Sequence, residues 1–209
     1  MGFEVVQAGP GAEDEAAPEP PDAIFYYDLA SPDCYLVAER IRAELPVICD
    51  WEPVHAASLG LPDGSGRHDD GPDREALAAA VAALDLLPLR MPRAWPPDSA
   101  LAMRVATYAQ GAGKSIAYSL AAFRQAFAGG RDLGDEGTVL LAAAACEIHP
   151  AAALKGAGLK STASGLARAG ERARAGGVTA LPAFTLVDGM TVCGPDALEQ
   201  ALAALSVSR

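Results

Sequence analysis

Residues 24–36 read Ile-Phe-Tyr-Tyr-Asp-Leu-Ala-Ser-Pro-Asp-Cys-Tyr-Leu, and no other stretch restricts the fold as much. A short apolar and aromatic run, the pattern of a buried strand, stops at Leu29-Ala30 and gives way to Ser-Pro and apolar residues at helical spacing. Ser31 has the chemistry of an N-cap, and Pro32 stands at the first helical position, where its missing N–H costs nothing. Tyr35, Leu36, Ile41 and Leu45 then form an inward stripe. A helix starting just past the end of a buried strand collects unpaired N–H groups and about half a positive charge. Such an end can seat a thiolate or another anion, and it can equally be a plain capped helix start. Asp33, in the first turn, complements the helix dipole but opposes any anion bound at the same end.

A second signal lies far along the chain, at Gly-Val-Thr-Ala-Leu-Pro-Ala-Phe-Thr-Leu-Val-Asp-Gly-Met over residues 177–190. Pro182 heads an apolar strand that runs into an Asp-Gly hairpin turn. Residues 181–187 and 191–193 read as an antiparallel hairpin and 196–205 as a closing helix. Near the start, residues 47–54 read as a strand with Pro53 at its end, giving a right-handed β-α-β unit with parallel strands. Alternation along that strand makes Cys49 a buried structural thiol.

Between these ends the text is helical. Residues 74–86, 99–110, 115–128, 135–147 and 160–175 carry Ala-rich helical patterns, with a shorter one over 150–154, after a Gly- and Asp-rich loop over 61–72. The expected organisation is an acidic, Pro-rich tail over 1–22 that holds no structure, a frame over 23–58 and 159–209, and an inserted helical domain over 59–158.

The chain has 209 residues, 51% of them hydrophobic, enough to bury a substantial core. No apolar run is long enough to span a bilayer and the start lacks a signal pattern, so no membrane partner and a cytoplasmic location are expected. The net charge of −11, with three Lys against thirteen Arg, repels phosphate backbones and argues against nucleic acid. Cys34, Cys49, Cys146 and Cys193 are scattered without zinc-ligand spacing, and no metal is expected.

The motifs Tyr27-Asp28-x-x-Ser31-Pro32-x-x-Tyr35-Leu36 and Gly177-Val178-x-x-x-Pro182-x-Phe184 resemble those of the DsbA-related branch that holds 2-hydroxychromene-2-carboxylate isomerases and kappa-class glutathione transferases. Residues 96–104 and 130–135 agree, so the resemblance spans nearly the whole chain after residue 22. It implies an α/β thioredoxin-like fold, β-α-β then β-β-α, with an inserted all-helical domain. It also implies a glutathione-dependent (or other small-thiol-dependent) isomerase or transferase, with Ser31 stabilising the cofactor thiolate opposite a cis Pro182. The implied reaction is conjugate addition of the thiolate to an unsaturated keto acid, bond rotation and elimination.

The same resemblance assigns Leu181 to the cysteine backbone of glutathione and Asp196 to its free amino group. Ser31 stands where related dithiol oxidoreductases carry their attacking Cys, and Cys34 matches their second Cys. Arg93, Trp95, His55 and Cys34 are candidates for contact with a small-molecule substrate, Arg because it clamps carboxylates and His because its pKa suits proton transfer. Two rival readings stand beside this one: a monothiol disulfide oxidoreductase using Cys34, and a catalytically silent protein binding a peptide or small acid. The resemblance also allows a homodimer.

Overall fold

The computed structural model of the protein describes residues 21–61 and 73–207. The expected acidic tail lies outside the described residues except for Pro21 and Asp22, and the loop expected over 61–72 lies outside them except for Leu61.

Four strands form one sheet: β1 (Ala23–Tyr27), β2 (Cys49–Pro53), β3 (Ala183–Leu186) and β4 (Thr191–Cys193). Their order is β2-β1-β3-β4, with β1 and β2 parallel and the other two pairs antiparallel. The parallel pair requires a crossover, which α1 (Pro32–Glu44) provides. After β4 the chain closes with α8 (Ala197–Val207). β3 begins at Ala183 rather than at residue 181 because the ladder with β1 stops at the Tyr26–Ala183 pair, leaving Leu181 and Pro182 beyond it. The hairpin turns at Gly189, whose φ of 85° suits a residue without a Cβ, and the Asp188 side chain accepts the Met190 N–H at 2.9 Å.

The helical text becomes α2 (Arg74–Ala83), α3 (Ala100–Gly111), α4 (Ser115–Phe123), α5 (Glu136–Ala145), α6 (Pro150–Ala157) and α7 (Lys160–Ala175). The run expected as one helix over 115–128 changes winding at Arg124, where a π-helical turn continues to Ala128. α6 is longer than expected. Gly156 lets its last turn lie so close to α3 that any side chain there would collide with the Tyr108 ring.

A column of rings joins the sheet to the helices. Phe25 stacks on Phe184 and meets Trp51 edge-on, both with centroids 5.1 Å apart, while Tyr27 reaches Phe123 at 5.8 Å and Tyr35 stacks on Phe127 at 5.6 Å. Aromatic pairs of this kind contribute about 0.5–1.5 kcal/mol each beyond the burial of their area. The Tyr27 hydroxyl, fully buried, is satisfied by Ser119 Oγ at 2.6 Å. Residues of the sheet and of α3, α4 and α5 belong to one continuous apolar cluster.

β2 lies at one edge of the sheet, where open ladder groups invite pairing with another chain. Gln110 Nε2 and Ser115 Oγ cover it by donating to the Trp51 carbonyl at 3.3 and 3.1 Å. At this edge Cys49 is half-buried rather than buried, with its thiol pushed up to about 12, chiefly by burial.

Candidate functional site

The pairing register brings separate stretches of chain to one end of the sheet. Tyr27 pairs with Pro53 and Tyr26 with Ala183, so the loops leaving β1 and β2 meet the segment entering β3. Ala183 also pairs with Cys193, and the Gly194 N–H donates to the Pro182 carbonyl at 2.8 Å, which adds the start of α8. Ser31, His55, Leu181, Pro182 and Asp196, far apart in sequence, thus belong to one end of the sheet.

Ser31 is the N-cap of α1, its Oγ accepting the Cys34 N–H at 3.2 Å while its own N–H donates to the Asp28 carbonyl at 3.0 Å. It exposes 0% of its surface. The O–H faces the enclosed Cys34 thiol, and a ligand reaches it only if neighbouring groups move aside. Cys34 is as thoroughly enclosed, which corrects its place among the candidate substrate contacts: a thiol with 0% exposure touches no substrate in this arrangement. Burial pushes that thiol far above its ordinary pKa, against a smaller opposing pull from Ser31.

The Leu181–Pro182 peptide bond is cis. Neither the N–H nor the C=O of Leu181 has a hydrogen-bond partner among the described residues. Asp196 is exposed at the mouth of α8 and lines a cleft of about 400 Å³ between α1, α2 and α8. Asp33, Asp73 and Glu199 line the same cleft around an apolar floor that includes Leu36 and Leu77. Among the described residues its one cationic lining residue, Arg40, is already held by Glu44 at 2.7 Å and Glu199 at 2.6 Å.

Of the other sequence candidates, Arg93 is exposed and Trp95 half-buried against the core, on a segment with a second cis bond at Trp95–Pro96. Neither lines this cleft nor the one described next. His55 is different. Its side chain is 28% exposed, and its Nδ1 lies 3.7 Å from a carboxylate oxygen of Asp28, an electrostatic contact longer than a hydrogen bond.

Asp28 is the residue the sequence reading passed over. It is 2% exposed, and its carboxylate ties together three pieces of chain. One oxygen accepts the Ala30 N–H at 2.9 Å and the Ser99 hydroxyl at 3.1 Å, while the other accepts the Ala56 N–H at 2.8 Å. Burial pushes the carboxyl up, but His55 and the two backbone N–H groups outweigh it, and the net displacement is below the ordinary value. An aspartate directly after a buried strand, three residues before an N-cap, was the available signal; the partners from two other loops were not visible in it.

Asp28, His55, Ser58, Asp98 and Ser99 line an open cleft of about 530 Å³ at the head of α3. Among the described residues no group of three His, Cys, Asp or Glu side chains is gathered to hold a metal ion.

A mixed four-stranded sheet with a helix start and a cis-Pro at one end defines a thioredoxin-like protein. A model of the DsbA-like thioredoxin domain matches residues 23–206, and the chain belongs to that family. Among solved structures it is similar to a 2-hydroxychromene-2-carboxylate isomerase, at 17% identity with a TM-score of 0.68, covering 89% of this chain and 95% of the other. A probable DsbA oxidoreductase from Streptomyces coelicolor matches at 18% identity with a TM-score of 0.68, covering 90% of each chain. The cytosolic disulfide reductase DsbM from Pseudomonas aeruginosa, solved with GSH, matches at 14% identity with a TM-score of 0.60, covering 89% of this chain and 98% of the other. At these identities the likeness is one of fold. A comparison with curated protein sequences finds no match.

Proposed function

We propose that the protein is a thiol-dependent isomerase or transferase of the DsbA-like family that takes its sulfur from a bound small thiol, glutathione being the first candidate. The observation that carries this reading is the pairing of a serine at the α1 N-cap with a fully enclosed Cys34. Disulfide exchange starts from an accessible thiolate, and neither residue offers one. A fold built around that exchange, but without its own nucleophile, has a use for an external thiol.

The residues present fit such a ligand in two places. The N–H and C=O of Leu181, unpartnered among the described residues, suit an extended peptide backbone once the groups over this 2% exposed residue have moved, and the exposed Asp196 suits an ammonium group. Bound there, the thiol supplies the nucleophilic sulfur. Ser31 would donate its O–H to that sulfur, and the α1 dipole would favour its anionic form, once the groups over Ser31 have moved.

Calorimetric titration with reduced glutathione, run in parallel on Ser31→Ala, tests the proposal. Binding in the micromolar to millimolar range, weakened about tenfold (about 1.4 kcal/mol) in the variant, is the expected result. No heat at millimolar glutathione overturns the glutathione form of the reading.

A further inference from the structure

The cleft between α1, α2 and α8 is an apolar gap with charge at its rim. Leu36 and Val37 face it from one side of α1, and Ala76, Leu77, Ala80 and Ala83 from one side of α2. Where two helices pack fully, larger side chains interdigitate and leave few voids bigger than a water. Three alanines on this side of α2 leave room instead, about 400 Å³. That volume suits a small molecule.

The rim carries one sign of charge. Asp33, Asp73, Asp196 and Glu199 stand on it, and among the described residues the one cation on the lining, Arg40, is held by Glu44 and Glu199. Two of these carboxylates have oxygens to spare. Asp73 caps α2 through Oδ1 alone, which accepts the Glu75 and Ala76 N–H groups at 3.1 and 3.0 Å, so Oδ2 is left over. The exposed Asp196 carboxylate takes no hydrogen bond and no ion pair among the described residues. With Arg40 counted, about half a positive charge at each of the three helix starts still leaves the lining negative. A carboxylate ligand is repelled here, and so is a second copy of this chain presenting the same face.

We propose that this cleft binds a small primary amine with an apolar body. The hydrocarbon lies on the floor between α1 and α2, and the ammonium donates to the spare carboxylate oxygens of the rim, those of Asp73 and Asp196. No bond is made or broken. The site shares Asp196 with the thiol reading but needs no sulfur, and Asp73 plays no part in that reading.

The experiment is calorimetric titration of the full chain with 2-phenylethylamine, 2-phenylethanol and 3-phenylpropionate, which share a ring and differ in charge, with no thiol present. Expected is amine binding at least about tenfold tighter than that of the alcohol, no heat from the acid at ~10 mM, and a gap between amine and alcohol that narrows in added salt. Asp196→Asn and Asp73→Asn should each weaken amine binding about threefold or more and leave the alcohol as it was. Asparagine still caps a helix, so a merely structural role for Asp73 predicts no change. Ala80→Trp should fill the floor and remove both amine and alcohol. Should it fail to fold, the two Asn variants decide, since both positions are exposed. Equal affinity for the three probes, no binding of the amine, or amine binding unchanged in either Asn variant overturns the inference. Because no probe contains sulfur, that result is distinguishable from a failure to bind glutathione.

Discussion

The loop between β1 and α1 has two ends that behave differently, though only Leu29 and Ala30 separate them. At the α1 end, Ser31 and Cys34 expose nothing, and their polar atoms are turned onto each other. At the β1 end, the enclosed Asp28 carboxylate is coupled to an imidazole that reaches an open cleft. The first is what the sequence motif advertises; the second is what solvent can reach. Motif position therefore marks where a family places its chemistry, whereas access and partners decide which groups can act in a given chain.

The largest effect that would break this contrast concerns Asp28. Asp28→Ala leaves two buried N–H groups and the Ser99 hydroxyl without their acceptor, and about 3–5 kcal/mol of stability should be lost in urea denaturation. A loss below about 1 kcal/mol would mean that the clamp is not a fixed structure. Its pH signature has a definite sign. Because the folded carboxyl is displaced below its ordinary value, its contribution is complete above the unfolded pKa of about 3.9 and disappears as pH falls through the lower folded pKa. Stability of the wild type should drop over that interval, and Asp28→Asn should flatten the drop.

Ser31 gives a smaller effect on stability. Ser31→Ala removes the N-cap bond to Cys34 and should cost about 1 kcal/mol in the same measurement. Ser31→Cys sharpens the contrast, since it creates Cys-Pro-Asp-Cys at the helix start. Disulfide formation in that variant under mild oxidation, followed by thiol counting, is expected if residue 31 stands at the attacking position of the fold; persistent free thiols would refute the alignment.

A labelling experiment reads the enclosure directly. In the native wild type Cys34 should react with a maleimide far more slowly than Cys193, which is half-buried, with the order established by mass spectrometry of peptides. The smallest effect belongs to the surface: Arg40→Gln disrupts ion pairs with Glu44 and Glu199 and should change stability by no more than about 1 kcal/mol.

The frame was legible in the sequence because its signals are local. Ser31-Pro32 starts a helix, Asp188-Gly189 turns a hairpin, and Pro53 and Pro182 stand where ladder donors are not required. The Ala-rich helices were legible too, apart from the change of winding at Arg124 and the full length of α6. The Asp28 clamp was not. Its partners stand 28 and 71 residues away and become neighbours only through strand register and the docking of α3. The enclosure of Ser31 and Cys34 is likewise a property of what packs over the helix start, which no local pattern encodes. Arg93 and Trp95 were chosen for their chemistry near a Pro cluster, and composition alone could not say which way that segment faces.

The ring column from Phe184 through Phe25 and Tyr27 to Phe123 and Phe127 also limits how the molecule can move. Two bodies that rock against each other need a seam of few contacts, and here the helical segment and the sheet share one interior without such a seam. Unfolding should therefore proceed as a single cooperative transition, with no stage at which the helices have melted while the sheet persists. Any opening over Ser31 is then work for the loops at the end of the sheet, a local displacement over a rigid base.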